Sequence, residues 1–181
     1  MKYFISDLHF FDEGIIYYCG RPFASADEMN AVLADNVRNT LRGGDELYLL
    51  GDVVGMKGGI ERCGQILKEM GVGGAVPFHL ILGNHDLLTV EEYLKMGFVS
   101  VERIGWTEIA GHKAMLAHDP CMVQPVGTLA VCGHIHTLFS EIYNEERNTL
   151  TINVSVERRG YRPVSEAALS DIIKSSKWLA E

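Results

Sequence analysis

Phe78-His79-Leu80-Ile81-Leu82-Gly83-Asn84-His85-Asp86 decides how the chain is read. An apolar run stops at a glycine, and three polar side chains follow at once. Short apolar runs of this kind are the pattern of strands covered on both faces. The same grammar recurs along the chain. Tyr3–Ser6 leads into Asp7-Leu8-His9, and Glu46–Leu50 into Gly51-Asp52. Lys113–Ala117 leads into His118, and Leu129–Cys132 into Gly133-His134-Ile135-His136. Ligands of open α/β sheets collect at the carboxyl ends of strands, so the polar residues after each run are candidates to converge.

A second group of strands, Phe98–Arg103, Thr107–Ala110, Phe139–Tyr143 and Leu150–Val154, alternates more or carries turn residues at its ends. These read as antiparallel ladders, with Glu145-Glu146-Arg147-Asn148 as a hairpin turn. Ser25-Ala26-Asp27-Glu28 and Thr89-Val90-Glu91-Glu92 are capping boxes that open helices. Behind the first, Met29, Val32, Leu33, Val37 and Leu41 keep helical spacing. Ile60–Met70 is a third helix, with Ile60, Cys63, Leu67 and Met70 on one stripe and Gly71-Val72-Gly73-Gly74 as its stop. Ser165 caps a last helix that turns Leu169, Ile172 and Ile173 inward, with Leu179 as a further candidate. Strands first alternate with helices and then follow one another, which predicts an α/β domain of two stacked sheets with helices outside.

Length and composition bound the function. At 181 residues, with no repeat, low-complexity tract or linker, residues 1–181 are expected to form one domain. The net charge of −8 argues against extended nucleic acid or an anionic membrane as partner, since both need a basic surface. A small anionic substrate is not excluded, because bound metal ions reverse the local sign. The four cysteines form no C-x-x-C pair, and Cys63 and Cys132 read as small core residues rather than disulfide partners. Asp7 stands where a signal peptide needs its apolar stretch, and no apolar run approaches ~18 residues, so cytoplasmic residence is expected.

Five of the seven histidines (His9, His85, His118, His134 and His136) stand just beyond an expected strand, as do Asp7, Asp52 and Asn84. The i, i+2 spacing of Asp7 with His9, and of His134 with His136, puts both side chains on one side of an extended backbone. Gly51, Gly83 and Gly133 let the chain turn sharply and approach a ligand closely. The donors are carboxylate and amide oxygens with imidazole nitrogens, and no thiolate. That set suits Mn²⁺, Fe or Zn²⁺ better than Ca²⁺. Seven ligands exceed what one tetrahedral site needs, and with one bridging carboxylate they divide into two sites. Two metals ~3.5–4 Å apart are the arrangement that clamps an in-line displacement at phosphorus.

Asp-x-His, Gly-Asp, Gly-Asn-His-Asp, a lone His and Gly-His-x-His, in this order from Asp7 to His136, resemble the calcineurin-like metallophosphoesterase superfamily. Tyr3-Phe4-Ile5-Ser6-Asp7-Leu8-His9-Phe10, Tyr18-Cys19-Gly20-Arg21-Pro22-Phe23 and Arg162-Pro163-Val164-Ser165 are similar to a group of small bacterial predicted phosphoesterases. The resemblance implies a four-layer αββα sandwich. It implies that Asp7, His9, Asp52 and His136 hold one metal, and that Asp52, Asn84, His118 and His134 hold the other, with Asp52 bridging. Two divalent ions are implied, with manganese favoured over iron, zinc or nickel. His85 would face the substrate phosphate without ligating metal. The implied reaction is hydrolysis of a small phosphate ester, diester ahead of monoester, by a metal-bridging hydroxide with His85 as general acid. Arg21 is expected to bind substrate, as a phosphate clamp near the entrance, with a surface ion pair as the alternative.

The chain departs from relatives at two places. Phe11-Asp12 stands where the small group often has Gly-His, and Gly51-Asp52-Val53-Val54-Gly55-Met56-Lys57 lacks the second Asp and the Arg of protein phosphatases. The competing function is a catalytically inactive protein-binding scaffold of the same fold. A retromer subunit of that kind has replaced the histidine present here as His85. Nuclease relatives carry added DNA-contacting segments, and this chain has no basic stripe. Asp86 reads equally as orienting an imidazole or bracing a turn, and Arg158-Arg159-Gly160-Tyr161-Arg162 reads as a solvated basic loop. His79 is expected to be a hydrogen-bonded strand histidine and His112 an exposed hairpin tip.

Overall fold

The computed structural model describes residues 1–55, 59–123 and 126–179. Each apolar run becomes a strand whose alternate side chains enter two different cores. In β1 (Lys2–Ile5), Phe4 faces one cluster and Ile5 the other. Leu47 and Leu49 of β2 (Glu46–Leu49) share the side of Ile5, and so do Phe78 and Leu80 of β3 (Phe78–Ile81). These three strands and β4 (Ser100–Glu102) run parallel, and β10 (Val164–Ser165) adds an antiparallel edge beside β1. The sheet order is β10-β1-β2-β3-β4.

The second sheet is built from β5 (Ile104–Ile109), β6 (His112–Ala117), β7 (Leu129–Cys132), β8 (Glu141–Asn144) and β9 (Thr149–Asn153). Its order is β5-β6-β7-β9-β8, with parallel pairs at its centre and antiparallel pairs at both edges. Leu116, Val131 and Ile152 from this sheet meet Phe4, Leu50 and Ile81 from the first, so one core lies between the sheets. Ser6 forms a parallel bridge to Ser155 and joins the two sheets at their seam.

α2 (Ala26–Thr40) and α3 (Gly59–Met70) cover the far face of the first sheet, where Met29, Leu33, Ile66 and Leu67 pack on Leu47 and Leu80. α5 (Glu166–Ser175) sends Leu169 and Ile173 into the core between the sheets. On the far side of the second sheet, Met115, Ala117 and Ala130 pack with Val123, which closes a 3-10 turn at Pro120–Met122. The protein is therefore a mixed α/β sandwich of two mixed sheets with helices outside. Among the described residues no helix is long and apolar enough to cross a membrane.

Ser25, Thr89 and Ser165 each cap a helix as predicted, but of the two expected capping boxes only that of Thr89 closes reciprocally. Ser25 accepts from Glu28 N, while the Glu28 carboxylate reaches Ala24 N instead of Ser25. Thr89 and Glu92 complete a reciprocal box at the start of α4 (Val90–Met96). Three expectations change. Residues Phe98–Arg103 were grouped with the antiparallel strands, but β4 pairs parallel with β3, because α4 is the crossover helix that carries the chain back. Val32 is exposed, and Ile60, 47% exposed in the first turn of α3, is off the buried stripe of Cys63, Ile66, Leu67 and Met70. α1 (Glu13–Cys19) has no apolar stripe to announce it, since Ile15 alone is buried; Asp12 caps it and left-handed Gly20 ends it. The four cysteines are free thiols, with Cys63 and Cys132 buried.

Candidate metal centre

The strand ends deliver their polar residues to one place. Asp7 and His9 follow β1, Asp52 follows β2, and Asn84 and His85 follow β3. His118 follows β6, while His134 and His136 follow β7. The convergence does not come from a pleat, as the i, i+2 spacing suggested. Asp7, His9, Asp52, His134 and His136 all have left-handed backbone, with φ of 59°, 50°, 54°, 73° and 44°. Left-handed backbone is uncommon outside glycine, though Asp and His tolerate it better than most residues. Pairing between the loops holds it in place: Asp7 N donates to Gly51 O at 3.0 Å and His9 N to Asp52 O at 2.9 Å.

Two groups of ligand atoms result. In Asp7, His9 and His136 the donor atoms lie within 4.8 Å of one another, and the same holds for Asp52, His118 and His134. Asp52 stands between the groups, its Oδ2 3.4 Å from His9 Nε2 and 3.3 Å from His118 Nε2. Asn84 Oδ1 lies 3.1 Å from His118 Nε2. The His9 side chain is only 2% exposed, yet neither ring nitrogen has a hydrogen-bond partner. Buried polar atoms of this sort are normally satisfied. A cation among these oxygen and nitrogen donors would satisfy them, so the residues fit divalent metal binding.

The ligand atoms are themselves held. Leu50 O can only accept, so His118 Nδ1 donates to it at 2.7 Å, which aims Nε2 at Asp52 and Asn84. His136 Nδ1 meets Glu157 Oε1 at 3.0 Å, a carboxylate–histidine pairing that orients a metal-binding ring. Asp7 Oδ2 accepts from Ser6 Oγ at 2.6 Å, Ser155 Oγ at 2.8 Å and His134 N at 3.0 Å. Asp52 Oδ1 accepts from His85 N at 2.9 Å. Burial alone would raise the Asp52 carboxyl, but the His118 and His9 imidazoles facing it outweigh that and hold the group well below the usual carboxylate range. Burial alone would lower His118, but its bond to Asp52 and the nearby charges of Asp7 and Asp52 lift it to about 9. Cations entering these groups must therefore displace protons.

Gly51, Gly83 and Gly133 give the loops room. A Cβ on Gly83 would collide with Asp52 Oδ1, and one on Gly133 with Ser6 Oγ and Asp7 Oδ2. Gly51 adds a left-handed φ of 85° and would meet His118 Nδ1 at 2.5 Å. Asp86 braces the turn and does not touch an imidazole. Its carboxylate accepts from Asp52 N, Val53 N and Gly83 N at 2.8–2.9 Å and from Tyr93 Oη at 3.3 Å. His85 is half-buried, its ring centroid 5.1 Å from that of His9.

Arg21 does not stand at an entrance. Its side chain is 0% exposed and is spent on Glu157 Oε1 at 2.6 and 2.9 Å, Asp7 O at 2.7 Å and Leu8 O at 3.0 Å. A guanidinium enclosed in this way cannot reach a substrate phosphate, so Arg21 is a positioning residue. Arg159 is likewise no solvated loop residue, since it donates to Asn153 O and Ser140 O. His79 Nδ1 lies 2.9 Å from Ser100 Oγ, as a strand histidine should, while His112 packs edge-on against Trp178. Sequence reasoning missed Ser155 and Glu157. Their signal was the familiar one, polar residues two apart after an apolar strand, here Leu150–Val154.

The family model for calcineurin-like phosphoesterases matches residues 3–178. An uncharacterised protein of Methanocaldococcus jannaschii is 34% identical over 180 residues, 97% of this chain and 92% of that protein. A crystal structure of a protein of unknown function from Aquifex aeolicus superposes with a TM-score of 0.71 at 26% identity, covering 95% of this chain and 98% of that one. A phosphoesterase of E. coli is more remote, with a TM-score of 0.46 and 16% identity over 84% of this chain and 77% of its own. The chain belongs to the calcineurin-like phosphoesterase family.

Proposed function

We propose that this family member is a metal-dependent hydrolase of a small phosphate ester, with diesters preferred over monoesters. The observation that carries the reading is the place of Asp52, whose Oδ2 faces both His9 Nε2 and His118 Nε2 at hydrogen-bonding range or slightly beyond. One carboxylate so placed can serve two cations. Asp7, His9, Asp52 and His136 would hold one, and Asp52, Asn84, His118 and His134 the other. The mixed oxygen and nitrogen donors favour manganese, with iron, zinc or nickel as alternatives. When bound, such a pair neutralises phosphate oxygens and makes water nucleophilic at neutral pH.

The chain's own residues do the rest. His85 belongs to neither ligand group and stands beside His9, where its imidazole can hydrogen-bond a phosphate oxygen. As imidazolium it donates its proton to the leaving oxygen. His85→Ala should keep cation affinity and lose roughly 10²–10⁴-fold in turnover. Stripping the protein with chelator and adding back Mn²⁺, Ni²⁺, Zn²⁺ or Mg²⁺ separately, against aryl phosphodiesters and monoesters, tests the activity itself. No hydrolysis with any of them would leave the scaffold as the better reading.

A further inference from the structure

A cavity of about 190 Å³ opens beside His85, and none of the residues of the two ligand groups lines it. Val54, Cys63, Leu87, Leu88 and Tyr93 line it. Among the described residues, its lining side chains other than His85 are apolar or uncharged. The Tyr93 hydroxyl is engaged by Asp86 at 3.3 Å, and burial pushes the Cys63 thiol up to about 12, so it carries no charge. An enclosed apolar cavity of about 150 Å³ accepts a benzene ring, so this one has room for a group of that size.

We infer that the cavity receives the esterifying group of the substrate, and that this group is an aryl or branched alkyl moiety of about one ring. The inference rests on His85 facing the phosphate. A proton passed from His85 to the leaving oxygen requires that oxygen to lie against the imidazole, and what is attached to it then enters the space on the far side. A sugar or a charged amino-acid side chain would lose hydrogen bonds to water there and find none among the described lining side chains. An apolar group loses nothing.

The test uses the manganese-loaded full chain and calorimetric titration with phenylphosphonate and methylphosphonate, which share a head group and resist hydrolysis. Phenylphosphonate should bind roughly 10- to 50-fold more tightly, from apolar area removed from water. Leu87 is 69% exposed at the lip, so Leu87→Asp leaves the fold intact, and the preference for the phenyl ligand should fall several-fold. Equal binding of the two phosphonates by the unaltered protein would overturn the inference while leaving the phosphoesterase reading standing. Binding of neither would remove both. A preference unmoved by Leu87→Asp would place the ring elsewhere and overturn the assignment of this cavity.

Discussion

Glu157→Gln is the sharpest perturbation of the centre, because one oxygen of that side chain serves two partners. Oε1 accepts from both Arg21 Nε and Nη2 and faces His136 Nδ1 at 3.0 Å. The Glu157 side chain is 3% exposed and that of Arg21 is fully enclosed. The substitution keeps the shape but leaves a buried guanidinium without its counter-charge, which costs about 3–5 kcal/mol for a fully broken pair. Two carbonyl acceptors remain on Arg21, so a loss near the lower figure is expected, about 6–12 °C in Tm for a chain of this size.

The pH dependence has a defined sign. Burial works against the Glu157 charge, but the bond to His136 and the Arg21 guanidinium prevail and hold the carboxyl at about 2, below its usual 4.5. A depressed carboxyl stabilises the fold above pH ~4.5, and that contribution, about 3 kcal/mol, is lost as pH falls toward 2. Denaturant melts of the metal-free protein between pH 6 and 2 should show this loss in the parent chain and not in Glu157→Gln. Cation affinity should drop roughly 10- to 100-fold at the group containing His136 and stay put at the group containing His118. The double replacement Arg21→Met with Glu157→Leu should be more stable than either single change. A Glu157→Gln protein with parental Tm and parental affinity at both groups would refute this account of the Arg21–Glu157–His136 relay.

Other expectations are simpler. Gly133→Ala forces a methyl against Ser6 Oγ and Asp7 Oδ2, so it should fold with about 1–3 kcal/mol less stability and lose high-affinity cation binding, read by melting and metal titration. Asp86→Asn replaces a carboxylate that accepts from three backbone N–H groups with an amide that must turn donors toward some of them. It should cost about 2–4 kcal/mol in a denaturant melt, with faster hydrogen exchange at Asp52, Val53 and Gly83. Thr89→Ala removes the cap of α4, a helix that carries no ligand residue, and should cost about 1 kcal/mol with cation affinity unchanged.

What the sequence made legible was whatever repeats locally. Leu47, Leu49, Phe78 and Leu80 alternate with residues of the inner core, and that period of two marks both strands as buried on either side. Ser25, Thr89 and Ser165 announce helix starts because a cap needs only its own next three residues. Asp7, His9, Asp52, Asn84, His118, His134 and His136 were found by their place after strands, and the structure gathers them. The role of Arg21 was misread because its partners, Glu157 and the carbonyls of Asp7 and Leu8, are set by tertiary contact. Backbone handedness at the five left-handed residues was also hidden, since an i, i+2 spacing is compatible with a pleat and with a coil that alternates hands. α1 escaped for want of an apolar stripe, and the parallel pairing of β4 because strand direction depends on where α4 lands.

The two ligand groups draw on both halves of the sandwich: Asp7, His9, Asp52 and Asn84 hang from the first sheet, and His118, His134 and His136 from the second. Any ion lodged among them is therefore a cross-link between the sheets, added to their shared apolar core, the Ser6–Ser155 bridge and hydrogen bonds such as His118 Nδ1 to Leu50 O and Ser155 Oγ to Asp7 Oδ2. Mass action then ties the durability of the whole fold to the surrounding metal supply. Each ion present at 100 times its dissociation constant adds about 2.7 kcal/mol against unfolding. Emptied of such ions, the same polypeptide would be easier to pull apart and degrade.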